Sequence, residues 1–233
     1  WILILLLLII CGAVYFFLFY PGIQVKNIVI SGNDKVETQD LKETVFNNVN
    51  TGLTKSIFLV DSSKLNKEIL EKFPAIEKTK INKKLPQTLM LGVIERKPVG
   101  VYCSSSCFLI DQNGVIFEPI AVPPEGVAIV RQTTEDNTVF AGERAVAQNT
   151  ISAIFAIKKT LKENFQIDLK EALITSPLRL NVKTSENWQI YFNLGSDPDI
   201  DSQLVKLNLL LGGEISPESR KNLEYIDLRF KDR

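Results

Sequence analysis

Residues 28–36 read IVISGNDKV, an apolar run that ends abruptly in turn-forming residues. Upstream, Ile23 and Val25 extend the apolar pattern, which predicts a strand over residues 23–30. The cluster Ser31-Gly32-Asn33-Asp34 predicts the turn that ends this strand. The charged part of the chain therefore opens with a strand and a tight turn.

The residues after this turn predict two helices followed by strands. Thr38 is a good N-cap residue, and the apolar residues that follow it share one helical face. Asp61, or one of the two serines after it, can cap a second helix that Pro74 closes. Alternating apolar residues then predict a strand over residues 88–95. Two helices beside a small sheet define an α+β domain, which we place at residues 21–97.

The N-terminal residues 1–20 read WILILLLLIICGAVYFFLFY and carry no charged side chain. At about 1.5 Å per residue such a helix is about 30 Å long, the thickness of the bilayer's hydrocarbon core. Trp1 and Tyr20 are aromatics typical of membrane interfaces, and Pro21-Gly22 ends the helix. We predict one transmembrane helix. The alternatives are a cleaved signal, whose apolar region is normally shorter, and a buried core helix.

Two further features bear on how the chain is placed. The twenty residues after the apolar run hold two lysines and three acids. This lack of basic excess favours residues 21 onward lying outside the cytoplasm. Met90 is the only methionine in the sequence. We therefore expect the chain to begin inside a longer protein.

Residues 98–233 predict a second domain, mainly β with helices. FLIDQNGVIFEP at residues 108–119 places Asn113-Gly114 between two apolar runs, which is a strong hairpin signal. A loop rich in proline and polar residues is expected at residues 122–137, and a helix at residues 148–165.

The rest of this domain predicts short strands, a helix and a last strand. The strands are expected around residues 172–174, 178–183 and 188–192. The helix starts at Ile200 and stops at Gly212-Gly213. Residues 225–231 alternate apolar with charged residues, which predicts a half-buried final strand.

Composition excludes several classes of function. Lysine plus arginine and aspartate plus glutamate both number 27, so the net charge is zero and nucleic acid is an unexpected partner. Histidine is absent, which removes Ser-His-Asp and Cys-His catalysis and histidine-assisted zinc sites. No cofactor or small-molecule motif is present. We predict a protein that is not an enzyme, with no cofactor and no metal.

Three charged groups each have a structural and a chemical interpretation. Glu95 and Arg96 end a strand, and a structural role is favoured over acid-base chemistry. Asp197, Asp199 and Asp201 resemble the opening of a calcium loop but also suit a helix start. The third group is a run of four lysines that fits a solvated strand edge or a protein-facing patch: Lys78, Lys80, Lys83 and Lys84.

Cys103 and Cys107 bracket three serines. If the flanking apolar stretches are paired strands, the two cysteines face each other across a short loop, at a separation that a disulfide tolerates. Two inert thiols remain the alternative. Cys11, in the apolar N-terminal run, is most simply a packing residue.

The final strand offers its backbone as a binding surface. A terminal strand at a sheet edge presents N–H and C=O groups with which an extended segment of a partner can pair. An ordinary paired strand is the alternative. The candidate partner-binding residues are Tyr225, Ile226, Asp227, Leu228, Arg229 and Phe230.

These motifs together resemble a known family. IVISGNDKV at residues 28–36, two helices, and LPQTLMLGVIERKPVG at residues 85–100 are similar to the POTRA domain of the FtsQ/DivIB family of bacterial cell-division proteins. The FLIDQNGVIFE hairpin and the ending LEYIDLRFKDR are similar to the family's second, β domain. The Cys103/Cys107 pair is not part of that pattern.

The resemblance implies a non-catalytic, single-pass protein of the cytoplasmic membrane with its bulk outside the cytoplasm, acting at the division septum. It implies two small coiled-coil membrane partners, FtsB and FtsL, with FtsB adding a strand at residues 225–230. It also implies a second docking module in the POTRA domain. Two rivals remain: a POTRA protein of secretion or outer-membrane assembly, and an anchored enzyme of the cell wall.

Overall fold

The computed structural model describes residues 1–50, 55–133, 138–197 and 199–230. The chain divides into two compact units, Trp1–Arg96 and Lys97–Arg233. The first joins an apolar helix to a small α+β domain, and the second is mostly β with helices. The predicted α+β fold class is confirmed.

The N-terminal apolar run forms helix α1, Ile2–Phe19. None of its residues is buried against the rest of the chain, and its mean hydropathy is 3.1. Among the described residues it is the one helix long and apolar enough to cross a membrane. Proline fixes φ near the helical value, so the chain leaves α1 through a short 3₁₀ turn at Pro21–Ile23. The predicted start of the first strand at residue 23 is therefore wrong.

The first unit then forms a three-stranded sheet with two helices on one face. Its elements are β1 (Asn27–Ser31), α2 (Thr38–Asn50), α3 (Ser62–Lys72), β2 (Ile76–Lys84) and β3 (Thr88–Glu95). β3 lies in the middle, parallel to β1 and antiparallel to β2. The apolar helix faces predicted from the sequence pack on the sheet: Leu41, Val45, Val49, Leu65 and Ile69 meet Ile76, Leu89, Leu91 and Val93.

Local signals fix the boundaries of these elements. The Asp61 carboxylate accepts hydrogen bonds from the backbone N–H groups of Ser63 and Lys64, which makes it the N-cap of α3 as predicted. Gly32 adopts a φ of +85°, which lets the chain turn immediately after β1. The SGND cluster is thus the turn that its residue types predict.

The second unit folds as a sheet with helices packed against it. Its strands are β4 (Gly100–Cys103), β5 (Cys107–Ile110), β6 (Ile116–Ile120), β7 (Ile129–Gln132), β8 (Leu169–Ser176), β9 (Arg179–Thr184), β10 (Gln189–Asn193) and β11 (Tyr225–Asp227). The helices are α4 (Gln148–Phe165), α5 (Ile200–Leu209) and α6 (Pro217–Arg220). In the described part of the chain the strand order is β11-β10-β9-β8-β7-β4-β5-β6.

The predicted hairpin is the β5–β6 turn. The Asp111 carboxylate accepts from the backbone N–H groups of Asn113 and Val115, at 2.8 and 2.9 Å, and Gly114 has a φ of +77°. One strand earlier, Cys103 and Cys107 are cross-strand partners in β4 and β5 with Cα atoms 4.1 Å apart. Their sulfur atoms are joined in a disulfide.

Two expectations for the middle of the second unit are wrong in detail. The predicted loop at 122–137 contains β7, which pairs with β4 and β8, partners distant in sequence; residues 134–137 of that loop lie outside the described residues. Gly212-Gly213 does not stop the helix. Glycine weakens helical backbone without forbidding it, and the chain widens into a π turn at Leu210–Glu214 before Ser216 caps α6.

The final strand is shorter than predicted. β11 ends at Asp227, whose carboxylate accepts a hydrogen bond from the backbone N–H of Arg229 at 3.1 Å. That N–H faces away from β10. On the β10 side, Asn193 N–H donates to Gln203 Oε1 at 2.8 Å, so pairing with β10 goes no further than Leu228. Of the expected strand, Lys231 lies outside the described residues.

Candidate functional site

β11 lies at one end of the strand order, with β10 as its neighbour. The two strands are parallel, with Tyr225 opposite Gln189 and Asp227 opposite Tyr191. The structure therefore brings the C-terminal segment into the position that the sequence analysis considered for it, the edge of a sheet. Among the described residues, no strand pairs with its other side.

The hydrogen bonds show which backbone groups of β11 face outward. Gln189 N–H donates to the Glu224 carbonyl at 3.0 Å, and Leu228 N–H donates to the Tyr191 carbonyl at 2.9 Å. In a parallel ladder alternate residues turn their polar groups to the same neighbour. Glu224, Ile226 and Leu228 therefore face β10, so the N–H and C=O groups of Tyr225 and Asp227 face the open edge.

Two apolar side chains hold this edge strand in place. Ile226 and Leu228 are both buried in the main core of the second unit. Their burial accounts for the apolar positions in the alternation of apolar and charged residues seen in the sequence. They act as anchors, and neither side chain is available to a partner.

The outer face beside the edge carries aromatic and arginine side chains. Tyr225 stacks on Tyr191 of β10, with ring centroids 5.3 Å apart. The guanidinium groups of Arg179 and Arg229 lie 5.2 and 5.5 Å from the centroid of the same ring. Tyrosine and arginine are the residue types that dominate binding energy at protein interfaces. We call Arg179, Tyr191, Tyr225 and Arg229 the aromatic–arginine cluster.

The Asp227 carboxylate fixes Arg229 within this cluster. Arg229 Nε donates to Oδ1 at 2.9 Å, and Nη2 donates to Oδ2 at 2.6 Å, which is a bidentate pair. The hydrogen bond from the Arg229 side chain holds the pKa of Asp227 below its usual value, although partial burial opposes the shift. The Arg229 guanidinium is thus held in one orientation.

A small groove adjoins the edge on the helix side. It has a volume of about 190 Å³ and lies between α5 and the residues after β11. Val205, Leu209 and Phe230 give it exposed apolar walls, and Lys206 Nζ donates to the Phe230 carbonyl at 3.2 Å. An apolar side chain of an added segment fits this site in size and chemistry.

The opposite edge of the sheet is protected. Ile116, the first residue of β6, is already bonded on its outer side: its N–H donates to the Glu143 carbonyl, and its carbonyl accepts from Gly142 N–H. Pro119, further along β6, has no N–H to offer. Of the two edges of this eight-stranded sheet, β11 is therefore the one suited to strand addition.

The other charged groups singled out in the sequence have structural positions. The Glu95 carboxylate accepts from the backbone N–H groups of residues 34–36 at 2.8 to 3.1 Å. Burial acts to raise the pKa of Glu95, but these hydrogen bonds outweigh it and the pKa lies below the usual value. Arg96 Nε donates to the Pro74 carbonyl at 2.9 Å. Both residues tie the first domain together rather than forming an acid-base pair.

The aspartates and lysines likewise sit on ordinary elements. The Asp199 carboxylate accepts from Ser202 N–H at 2.8 Å and is the N-cap of α5, as the helix-start interpretation predicts. Across the described residues, no group of three or more metal-ligating side chains is assembled. The lysines at 78, 80, 83 and 84 all lie on β2, and all are exposed.

Sequence reasoning missed Arg179, Tyr191 and the α5 wall of the groove. Tyr191 sits between two buried residues, Ile190 and Phe192, so its outward direction was readable from the alternation. The position of Tyr191 beside Tyr225 was not readable from the sequence, because the pairing of β10 with β11 joins residues more than thirty positions apart.

The comparison with known proteins identifies the first domain. The family model for the POTRA domain, FtsQ-type, matches residues 23–96. No curated protein matches the chain. The match covers the β-α-α-β-β domain described above.

The match supports a division-related POTRA protein. The match supports an FtsQ/DivIB-like protein, as the sequence motifs predicted. Together with the apolar helix α1, it fits a single-pass membrane protein.

Proposed function

We propose that this protein is a non-catalytic scaffold of the bacterial division complex, anchored in the cytoplasmic membrane by α1 and acting outside the cytoplasm at the septum. Its C-terminal edge takes an extended segment of a small single-pass coiled-coil partner, FtsB-like or FtsL-like, by strand addition. The observation that carries this proposal is the outward-facing backbone of Tyr225 and Asp227 on β11.

The surroundings of the edge support a protein partner. Each added strand residue that pairs with β11 satisfies donors and acceptors that otherwise face water. The aromatic–arginine cluster lies beside the edge on one face, and the α5 groove lies on the other. Alternate side chains of an added strand would reach these two surfaces in turn.

Photo-crosslinking in living cells tests the proposal. Leu228 is fully buried, so a photoreactive residue there would disturb the core; Tyr225, 53% exposed beside the edge, is the better position. We expect an adduct with a small coiled-coil membrane protein, identified by mass spectrometry. A label at Val122, exposed on the same unit, is the control.

The outcomes separate the proposal from its rivals. An adduct at Tyr225 to a translocation or outer-membrane assembly component would replace the division role by a secretion role. Absence of any adduct at Tyr225, in a folded and expressed protein, would contradict binding at this edge. Turnover of peptidoglycan fragments by the purified chain would contradict the scaffold role.

A further inference from the structure

The end of the first domain from which α1 emerges forms one continuous surface. Gln87 Nε2 donates to the Pro21 carbonyl at 3.1 Å, and Val25 N–H donates to the Lys55 carbonyl at 2.9 Å. Lys83 Nζ donates to the Phe58 carbonyl at 3.1 Å. These bonds join residues 21–26, 55–60 and 83–88, which we call the span-proximal surface.

Three large apolar side chains of this surface are exposed. Phe58, Leu59 and Leu85 are 44%, 55% and 57% exposed. The Phe58 ring packs edge-on against Phe17 of α1, with centroids 5.6 Å apart. Phe17 belongs to the last turn of the apolar helix, so Phe58 lies at the same level as the end of the span.

The charge of the same surface is uniformly positive. Its three segments contain Lys26, Lys55, Lys83 and Lys84 and no aspartate or glutamate. All four lysines are exposed. The ammonium groups of Lys26, Lys55 and Lys84 make no hydrogen bond or ion pair with any described residue. In a chain with 27 basic and 27 acidic residues, this local excess is a surface that attracts an anionic partner.

We propose that the span-proximal surface docks on the anionic phospholipids of the membrane in which α1 is anchored. The inference rests on the proposed function only in that α1 spans a membrane. Phe58, Leu59 and Leu85 enter the boundary between headgroups and acyl chains, as apolar residues of interfacial segments do. The lysine ammonium groups bind lipid phosphates, an attraction that grows with anionic lipid content. The first domain is then held against the bilayer at a fixed tilt.

Spin labels on the full chain in vesicles test this docking. A label at Leu85→Cys is compared with one at Ile94→Cys, because both residues are 57% exposed in the same domain. Ile94 lies six residues beyond the start of β3 at Thr88, about 20 Å along the strand. Cys11→Ala removes the free thiol, and a label at Leu8→Cys reports the span itself. Vesicles are phosphatidylcholine with or without phosphatidylglycerol.

The accessibility of each label to oxygen and to a water-soluble nickel chelate gives the result. We expect the label at 85 to become more accessible to oxygen than to nickel when phosphatidylglycerol is present, while the label at 94 stays water-exposed. Lys55→Gln/Lys84→Gln should abolish this shift. Lys78→Gln/Lys80→Gln, which removes the same charge elsewhere on β2, should leave it intact.

The remaining outcomes overturn the proposal in distinguishable ways. A water-exposed label at 85 with a membrane-embedded label at 8 leaves the anchor in place and rejects lipid docking. A label at 85 shielded from both reagents shows a protein contact instead of lipid. A water-exposed label at 8 rejects the membrane anchor, and the docking proposal fails with it.

Discussion

Gly32 has a φ of +85°, and a methyl group at this position would lie 2.2 Å from the carbonyl oxygen of Val93. The turn after β1 therefore needs glycine for both its backbone angle and its contact with β3. We predict that Gly32→Ala destabilises the first domain by about 2 kcal/mol or more, because left-handed backbone and a steric clash add. Hydrogen exchange of the β1–β3 amides in the full chain measures the loss.

Gly126 provides a matched control for this prediction. Its φ is +75°, yet nothing lies within 4 Å of a methyl group placed there. Gly126→Ala should cost only about 1 kcal/mol in its own unit, the penalty of left-handed backbone alone. Equal losses of stability for the two variants would show that the contact with the Val93 carbonyl does not contribute to the destabilisation.

Glu95 makes the first domain sensitive to acid. Its pKa lies below the ordinary value of 4.5 because of hydrogen bonds from the backbone of residues 34–36. The Glu95 carboxylate therefore binds a proton more tightly in the unfolded state than in the folded state. Its contribution to stability is fully present above the pKa of the unfolded state and is lost as the pH falls through the pKa of the folded state. Glu95→Gln should lower stability at neutral pH by about 1 kcal/mol, a modest value since water still reaches this partly buried group.

Calorimetric unfolding of the full chain in detergent, from neutral to acidic pH, checks this. The wild-type transition of the first domain should approach that of Glu95→Gln as the pH falls. A constant difference between them at all pH values would mean that the carboxylate charge is not what stabilises the turn.

At the scale of single elements, local sequence signals were sufficient to predict a boundary wherever nearby residues fix it. Thr38, expected as the N-cap of α2, is instead its first helical residue, and its hydroxyl accepts from Asn33 Nδ2 at 2.8 Å. Asp61 caps α3, and Gln148 and Thr88 begin α4 and β3, at the positions expected from the sequence. In each case a capping side chain, an apolar helical stripe or a strict alternation acts within a few residues. Such signals do not depend on what the element packs against.

Elements that depend on distant partners were not predictable in the same way. β7 is a four-residue strand stabilised by parallel neighbours on both sides, and its own residues carry no alternation. β11 was expected, but it ends at Asp227 because the next donor of β10, Asn193 N–H, bonds the Gln203 side chain of α5. Likewise the candidate site needed Arg179 and Tyr191, which only the order of the sheet brings to Tyr225.

The geometry of β11 gives a sharp test of strand addition. Tyr225 N–H faces the open edge, so Tyr225→Pro removes an outward donor without breaking the bonds to β10. We predict at least a tenfold loss of affinity for the partner segment, as expected from about 1.4 kcal/mol or more per lost pairing. Titration by calorimetry measures the dissociation constant.

Tyr225→Ala is the matched control because it removes the ring but keeps the N–H. If both variants bind equally weakly, the side chain rather than the backbone carries the interaction. Leu228→Pro is less informative, since Leu228 N–H already donates to Tyr191 and its side chain is fully buried.

At the scale of the whole second unit, the disulfide and the open edge at β11 lie toward opposite edges of the sheet. The Cys103–Cys107 bridge joins β4 to β5, and β5 lies six strands from β11. At about 4.8 Å per strand this separates them by about 29 Å. Cys103→Ser/Cys107→Ser should lower stability by about 2 kcal/mol, the value for so short a loop, and leave partner affinity unchanged.

Alkylation of the purified wild-type chain, followed by mass measurement with and without reductant, establishes whether the bridge forms. Labelling of both thiols without reductant would contradict the disulfide. A loss of partner affinity in the folded double-serine variant would show that the two sides of the sheet are coupled.

The charge of the whole molecule separates its two proposed surfaces. With 27 basic and 27 acidic residues the chain has no net field to steer a partner, and the β11 edge binds mainly through backbone and apolar groups. The span-proximal surface carries four lysines without an acid.

Raising the ionic strength from about 0.15 M to about 1 M shortens the Debye length from about 8 Å to about 3 Å. Lipid docking, measured by the label at 85, should then be lost, while the affinity of the partner segment changes by less than about tenfold. A partner affinity that falls as steeply as the lipid contact would mean that the aromatic–arginine cluster binds through its charges, and that pairing along β11 contributes little.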